Sequence, residues 1–188
     1  WERAANDGEL MKRLTAAEQR WAWNDVGAPA AIGLPQAPEA LRTPQAKEKA
    51  VGLLREQVGL LGDFDVMRGA NGVTGIYDAL IDSGWLSVED RALFRAQMAH
   101  LGYVLADPQC WSIERGYHSG NPNMSASYTL SLGLLACALA DHPMAETWAQ
   151  YAAGWMDKWL TDEVGPDGQW LPEGSHYTSI PIFHMTAF

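Results

Sequence analysis

Two stretches of this chain concentrate side chains that exchange protons or bind anions. "ERGYHSGNPNMSAS" places Arg115, Tyr117, His118, Asn121 and Asn123 in one segment. Further on, "GPDGQWLPEGSHYTSIP" brings Glu173, His176 and Tyr177 together behind a Gly/Pro-rich turn. An amide or a protonated imidazole can bind a carboxylate and stabilise negative charge as it develops. A phenol, with an ordinary pKa of about 10, serves as acid, or as base when nearby positive charge lowers that value. Each stretch also has a plainer reading. In the first, Asn and Gly form turns and Asn123 or Ser125 caps a helix. In the second, Pro-Asp-Gly is a turn, Ser175 a helix cap, Glu173 a solvated carboxylate and Tyr177 a core aromatic. His176 and Tyr177 are neighbours, so on a helix they diverge by about 100° and cannot serve one point equally well. Tyr177 is taken for the site, with His176 and Glu173 at its edge.

The elements that must position these groups read as helix after helix. Leu10, Leu14, Ala17 and Trp21 recur at spacings of four, three and four, which is one helical face. "VGAPAAIGLPQAPEALRTP" breaks the pattern with Pro29, Pro35, Pro38 and Pro44 and is expected as a long loop. Thr43 and Pro44 look like an N-cap followed by proline at the first helical position, opening a helix to about Leu61. A short helix is expected over roughly Val73 to Asp82. Ser87 with Asp90 resembles a capping box, followed by the stripe Phe94, Met98, Leu101 and Leu105. "MSASYTLSLGLLACALA" is apolar around most of its circumference and should be buried on nearly all sides. Pro143 opens a helix striped by Met144, Trp148, Tyr151 and Trp155, and a last helix should begin near Ser175.

No segment shows sustained period-two alternation, so the expected class is all-α. An all-round buried helix beside amphipathic ones fits two concentric layers, hence an (α/α) toroid, or part of one, built from antiparallel hairpins in a single domain over 1–188. A simple bundle is the alternative, disfavoured because bundle connections usually run about 2–8 residues.

Composition bounds the function. A formal charge of −10 argues against a nucleic-acid partner, which needs a basic face. It also disfavours an anionic substrate unless Arg and Lys gather locally in a cleft. Nine Trp residues furnish either a Trp-rich core or the aromatic walls of a cleft, with Trp111 and Trp170 beside the two stretches as candidates for walls. Cys110 and Cys137 make neither a disulfide framework nor a zinc site and are expected as buried thiols. No apolar run approaches the roughly 20 residues that cross a membrane. The chain starts at Trp1 and stops inside "IPIFHMTAF", so it is expected to be a piece of a longer protein.

The order of an Asn-rich loop, a buried helix "LSLGLLACALADHP", an amphipathic helix and then "PDGQWLPEGSHY" resembles the helical domain of the heparinase II/III-like polysaccharide lyases, which include alginate, heparin and related uronate lyases. The resemblance covers roughly Trp85 to Tyr177, and its most specific part is Asp167, Gly168, Glu173, Gly174 and Tyr177. It implies β-elimination on an acidic polysaccharide, with no cofactor in this chain. It further implies a periplasmic or secreted location and a β-sandwich region downstream, which in this family sometimes carries a structural metal and another His. By family position Asn123, or Asn121, binds the substrate carboxylate and Tyr177 exchanges the proton. His118 is the candidate second base or carboxylate neutraliser, and Arg115 joins the substrate-binding set. The family often shows two adjacent Asn, or Asn followed by His or Trp. Here Pro122 separates the amides, which leaves Asn121 and Asn123 as alternatives.

Two other classes compete. A glycoside hydrolase on an α/α barrel would need two carboxylates about 5–5.5 or 6.5–9.5 Å apart, with Glu173 paired to Asp63, Asp65 or Asp167. A non-catalytic helical domain would bind sugar through Trp without turnover.

Overall fold

In a computed structural model, the structure describes residues 28–59, 70–109 and 122–169. The expected first helix and the one near Ser175 lie outside the described residues. Among those described there are six α-helices and no strand, so the described part of the chain is all-α. The chain divides into two compact units, Trp1–Leu60 with Gly72–Phe94, and Leu61–Asn71 with Arg95–Phe188.

In the first unit, α1 covers Ala28–Gly33 and runs into two 3-10 turns, Leu34–Gln36 and Glu39–Leu41. The long loop expected here is therefore partly helical. Its prolines did not prevent this because Pro29 and Pro35 each stand second in their element, where a missing N–H costs nothing. Ala31 and Leu34 are buried and reward the turns with core contact. Helix α2 spans Pro44–Gly59 and opens as its sequence predicts, with the Ala46 N–H donating to Thr43 Oγ1 at 3.2 Å. Helix α3, Ala70–Ile81, begins three residues earlier than its apolar pattern suggests. Val73, Ile76, Tyr77 and Leu80 give it a fully buried face.

Helix α4, Val88–Ala106, starts in the first unit and continues in the second. The expected cap is present: the Asp90 N–H donates to Ser87 Oγ at 3.0 Å, and the Ser87 hydroxyl donates to Asp90 Oδ2 at 3.1 Å. Asp90 does more than cap. Its carboxylate receives Arg55 from α2 in a two-pronged ion pair, Nε to Oδ1 at 2.8 Å and Nη2 to Oδ2 at 2.7 Å. The Arg55 guanidinium holds the Asp90 carboxyl below its usual range, outweighing the opposite push of burial. The stripe Phe94, Met98, Leu101 and Leu105 is buried along its whole length.

In the second unit, α5 spans Pro122–Ala138 and α6 spans Ala145–Asp162. Residues 125–133 of α5 are all buried, as the all-round apolar sequence requires. Serine and threonine survive there by bonding the preceding turn: Thr129 Oγ1 donates to the Ser125 carbonyl at 2.9 Å and Ser131 Oγ to the Ser127 carbonyl at 3.0 Å. Toward its C-terminus the helix surfaces. Cys137 is a free, exposed thiol, contrary to the buried one expected; the small side chain gives up little by facing water. Cys110 lies outside the described residues.

Helix α6 buries Ala145, Trp148, Ala152, Met156 and Trp159. The expected stripe is thus rotated by about one position, with Tyr151 and Trp155 half-buried along its border. On the α5 side Leu130 meets Met156 and Trp159, with Trp155 packed at the edge of that cluster. Helix α6 also starts two residues after Pro143, with the Met144 N–H donating to His142 Nδ1 at 3.2 Å. His142 stacks on Trp148 at 4.9 Å, and Tyr103 of α4 meets both rings edge-on. Gly102 permits this packing: a Cβ there would stand 2.8 Å from two Trp148 ring carbons.

Candidate functional site

Trp111, Arg115, His118 and Asn121 fall within 110–121, and Trp170, Glu173, His176 and Tyr177 fall within 170–188; all eight lie outside the described residues. So do Asp63 and Asp65, two of the carboxylates weighed for a hydrolase. Asn123 is placed by its backbone alone, one residue into α5. The helix begins at Pro122, so Asn123 and Ser125 stand inside its first turn, and neither occupies the cap position the plainer reading gave them. That turn carries main-chain N–H groups with no partner in the helix, and with them the partial positive charge of a helix start.

What the structure does describe is the frame from which both stretches depart. The connection over 139–144 is too short to let α6 run parallel to α5. Leu130 packs with Met156 and Trp159 in one buried cluster, with Leu134, Trp155 and Val164 around it. A short link together with mid-helix contacts of that register makes α5 and α6 an antiparallel hairpin. The helices have 17 and 18 residues. At 1.5 Å per residue each is about 26 Å long, so they are matched. Pro122, where α5 starts, and Asp162, where α6 ends, therefore lie at the same end of the hairpin.

A tight turn follows at that end. The Gly168 N–H donates to the Gly165 carbonyl at 2.8 Å, and the Gly165 N–H to the Gln169 carbonyl at 2.8 Å. Pro166 sits at the second position, where its fixed φ suits the turn, and Asp167 Oδ1 accepts the Gln169 N–H at 3.3 Å. Gly168 has φ 80°, a left-handed conformation that a side chain would strain. Asp167 and Gly168, the first part of the resemblance motif, thus have a structural role: they reverse the chain as it leaves α6. Asp162, also at this end, is paired with Lys158 one turn earlier.

Among the described residues, no group of three or more His, Cys, Asp and Glu side chains is placed to hold a metal ion. No described helix is long and apolar enough to cross a membrane. One feature has no counterpart in the reading of the sequence, a cavity in the first unit lined in part by Arg42 and Trp85. The two residues are far apart along the chain and carry no motif, so only the fold brings them together. No family model, curated protein or solved structure matches the chain.

Proposed function

We propose that the protein is a lyase that cleaves a uronic-acid-containing polysaccharide by β-elimination, on a scaffold of antiparallel helical hairpins arranged as an (α/α) toroid or part of one. The supporting observation is the α5–α6 hairpin. A helix buried around its circumference lies beside an amphipathic one, as inner and outer layers require. The segment carrying His118 and Asn121 leads into the start of α5, and the segment carrying Glu173 and Tyr177 follows the end of α6. Those two points share one end of the hairpin.

The chemistry needs few groups. A base removes the C5 proton, the C4–O4 bond breaks, and an acid protonates the departing O4, leaving a C4–C5 double bond. The substrate carboxylate must be neutralised while negative charge builds beside it. Asn123 or Asn121 does this with an amide, helped by the positive start of α5. Tyr177 exchanges the proton, and His118 is the second base or neutraliser. Arg115, His176, Trp111 and Trp170 hold the acidic sugar chain. A periplasmic or secreted location and a downstream β-sandwich belong to the same proposal.

The test is a panel of uronate polysaccharides offered to the protein, read by the ultraviolet absorbance of the unsaturated product. Tyr177→Phe keeps the ring and removes the exchangeable proton. It should reduce product formation by about 10²–10⁴-fold while leaving polysaccharide binding intact. Asn123→Ala should slow turnover as well. An active Tyr177→Phe variant beside an inactive Glu173→Gln variant would overturn the lyase in favour of a hydrolase.

A further inference from the structure

The first unit contains a cavity of about 220 Å³ walled by Pro35, Gln36, Arg42, Asp82, Ser83 and Trp85. The chain carries a net charge of −10, yet one wall of this cavity is a guanidinium. Arg42 forms no ion pair among the described residues, and its Nε is buried with no hydrogen-bond partner. The Lys47 ammonium lies 5.2 Å from the centre of the Trp85 ring that forms one wall. Arg42 on the wall, with Lys47 over the ring of the neighbouring Trp85, brings positive charge close to the cavity, as an acidic protein needs if it is to take an anion.

The walls narrow the choice. With Nε sealed against protein, Arg42 has its terminal Nη groups left to donate, a planar fork that matches a carboxylate. Asp82 is the opposing charge. It repels a second negative charge, which disfavours a phosphate dianion, and it accepts a hydrogen bond from a ligand hydroxyl. Ser83 is already committed, its hydroxyl donating to the Leu80 carbonyl at 2.6 Å and accepting the Trp85 N–H at 3.1 Å. The Trp85 indole offers an apolar surface for a ring to lie on. The volume is below the roughly 300 Å³ at which drug-sized sites begin and suits a group of about one ring.

We propose that this cavity is a binding site for a small carboxylic acid carrying a single ring, its carboxylate on Arg42 and its ring against Trp85. The proposal does not rest on the lyase reading, and its test records binding, not turnover. Calorimetric titration of the protein with glucuronate and with benzoate separates a sugar acid from a planar acid, and glucose and inorganic phosphate are the controls. At least one carboxylate should bind with one-to-one stoichiometry, more weakly as salt is raised, and glucose should not bind. Arg42→Gln should weaken that binding at least about tenfold. Arg42→Lys, which keeps the charge and loses the fork, should fall between, with helicity by circular dichroism reporting the fold. Asp82→Asn, an exposed change, should raise the affinity for phosphate. The proposal is overturned if neither carboxylate binds, if phosphate binds wild-type protein as tightly, or if the well-folded Arg42 variants bind like wild type.

Discussion

In the first unit, α2 is tied to the start of α4 by charge. In the second, the later part of α4 meets α6 through aromatic rings. Arg55 reaches Asp90 with two short hydrogen bonds, and the Arg55 side chain is 55% exposed while that of Asp90 is only 10% exposed. Trp148 is fully buried, stacked on His142, crossed by Tyr103 and set directly on the backbone at Gly102. The ion pair tolerates changes of volume, because half of it faces water, but it depends on the charge of one carboxylate. The ring cluster has the opposite sensitivity. It barely depends on acid pH through Asp or Glu, since none contributes to the stack, but it has no free space.

The largest expected break is in the ring cluster. Trp148→Ala should cost about 3–5 kcal/mol, the range for removing a buried aromatic side chain, measured by denaturant unfolding. Gly102→Ala should cost about 1–3 kcal/mol even though alanine favours helix, because the Trp148 ring stands where the new methyl would go. A Gly102→Ala variant as stable as wild type would mean the ring can move, and the contrast between the units would dissolve.

Asp90→Asn should cost about 1–2 kcal/mol near neutral pH, a figure reduced because Arg55 is half in water. The sign with pH follows from the lowered carboxyl. A folded-state value below the unfolded one gives stability that is complete above the unfolded value and lost as pH falls through the folded one. The gap between wild type and Asp90→Asn should therefore be widest at neutral pH and begin to close below about pH 4. A gap that stayed constant down to pH 2 would show that the carboxylate charge is not what ties α2 to α4.

The smallest effect is the sharpest control. Arg95 and Asp141 make a contact of 2.6 Å in the second unit, as short as the Arg55–Asp90 bonds. The Asp141 side chain is 74% exposed, and water screens the pair. Asp141→Asn should leave the thermal midpoint unchanged, although the Arg95 hydrogen bond lowers the Asp141 pKa in the folded protein. If Asp141→Asn proved as costly as Asp90→Asn, burial would not be the factor that separates the two ion pairs.

Much of this arrangement could be read residue by residue. Thr43 with Pro44, and Ser87 with Asp90, marked helix starts that the structure has, because a cap is made between residues two or three apart. The stripe from Phe94 to Leu105 and the all-round burial of α5 followed from periodicity alone. The prolines between Val26 and Pro44 misled for a physical reason: proline forbids the interior of a helix and suits its first turn, and only contact with the core decides which one a segment adopts. The face of α6 was displaced for a similar reason. The periodicity marks an apolar side, but the contact of Leu130 on α5 with Met156 and Trp159 settles which part of that side is buried.

For the candidate site, residue types and chain order suggested chemistry, and the hairpin shows why order alone could not supply geometry. That the start of α5 and the end of α6 share an end depends on the antiparallel packing of Leu130 with Met156 and Trp159. The sequence by itself determined the helical class, the caps at Thr43 and Ser87, the buried character of α5 and the Pro-Asp-Gly turn, since each rests on interactions within a few residues. Tertiary structure alone decided that Asp90 would meet Arg55, that Gly102 would receive Trp148, and that Arg42 and Trp85 would wall one cavity. Those contacts join residues distant along the chain, and no local preference records which distant surface will be there when the core closes.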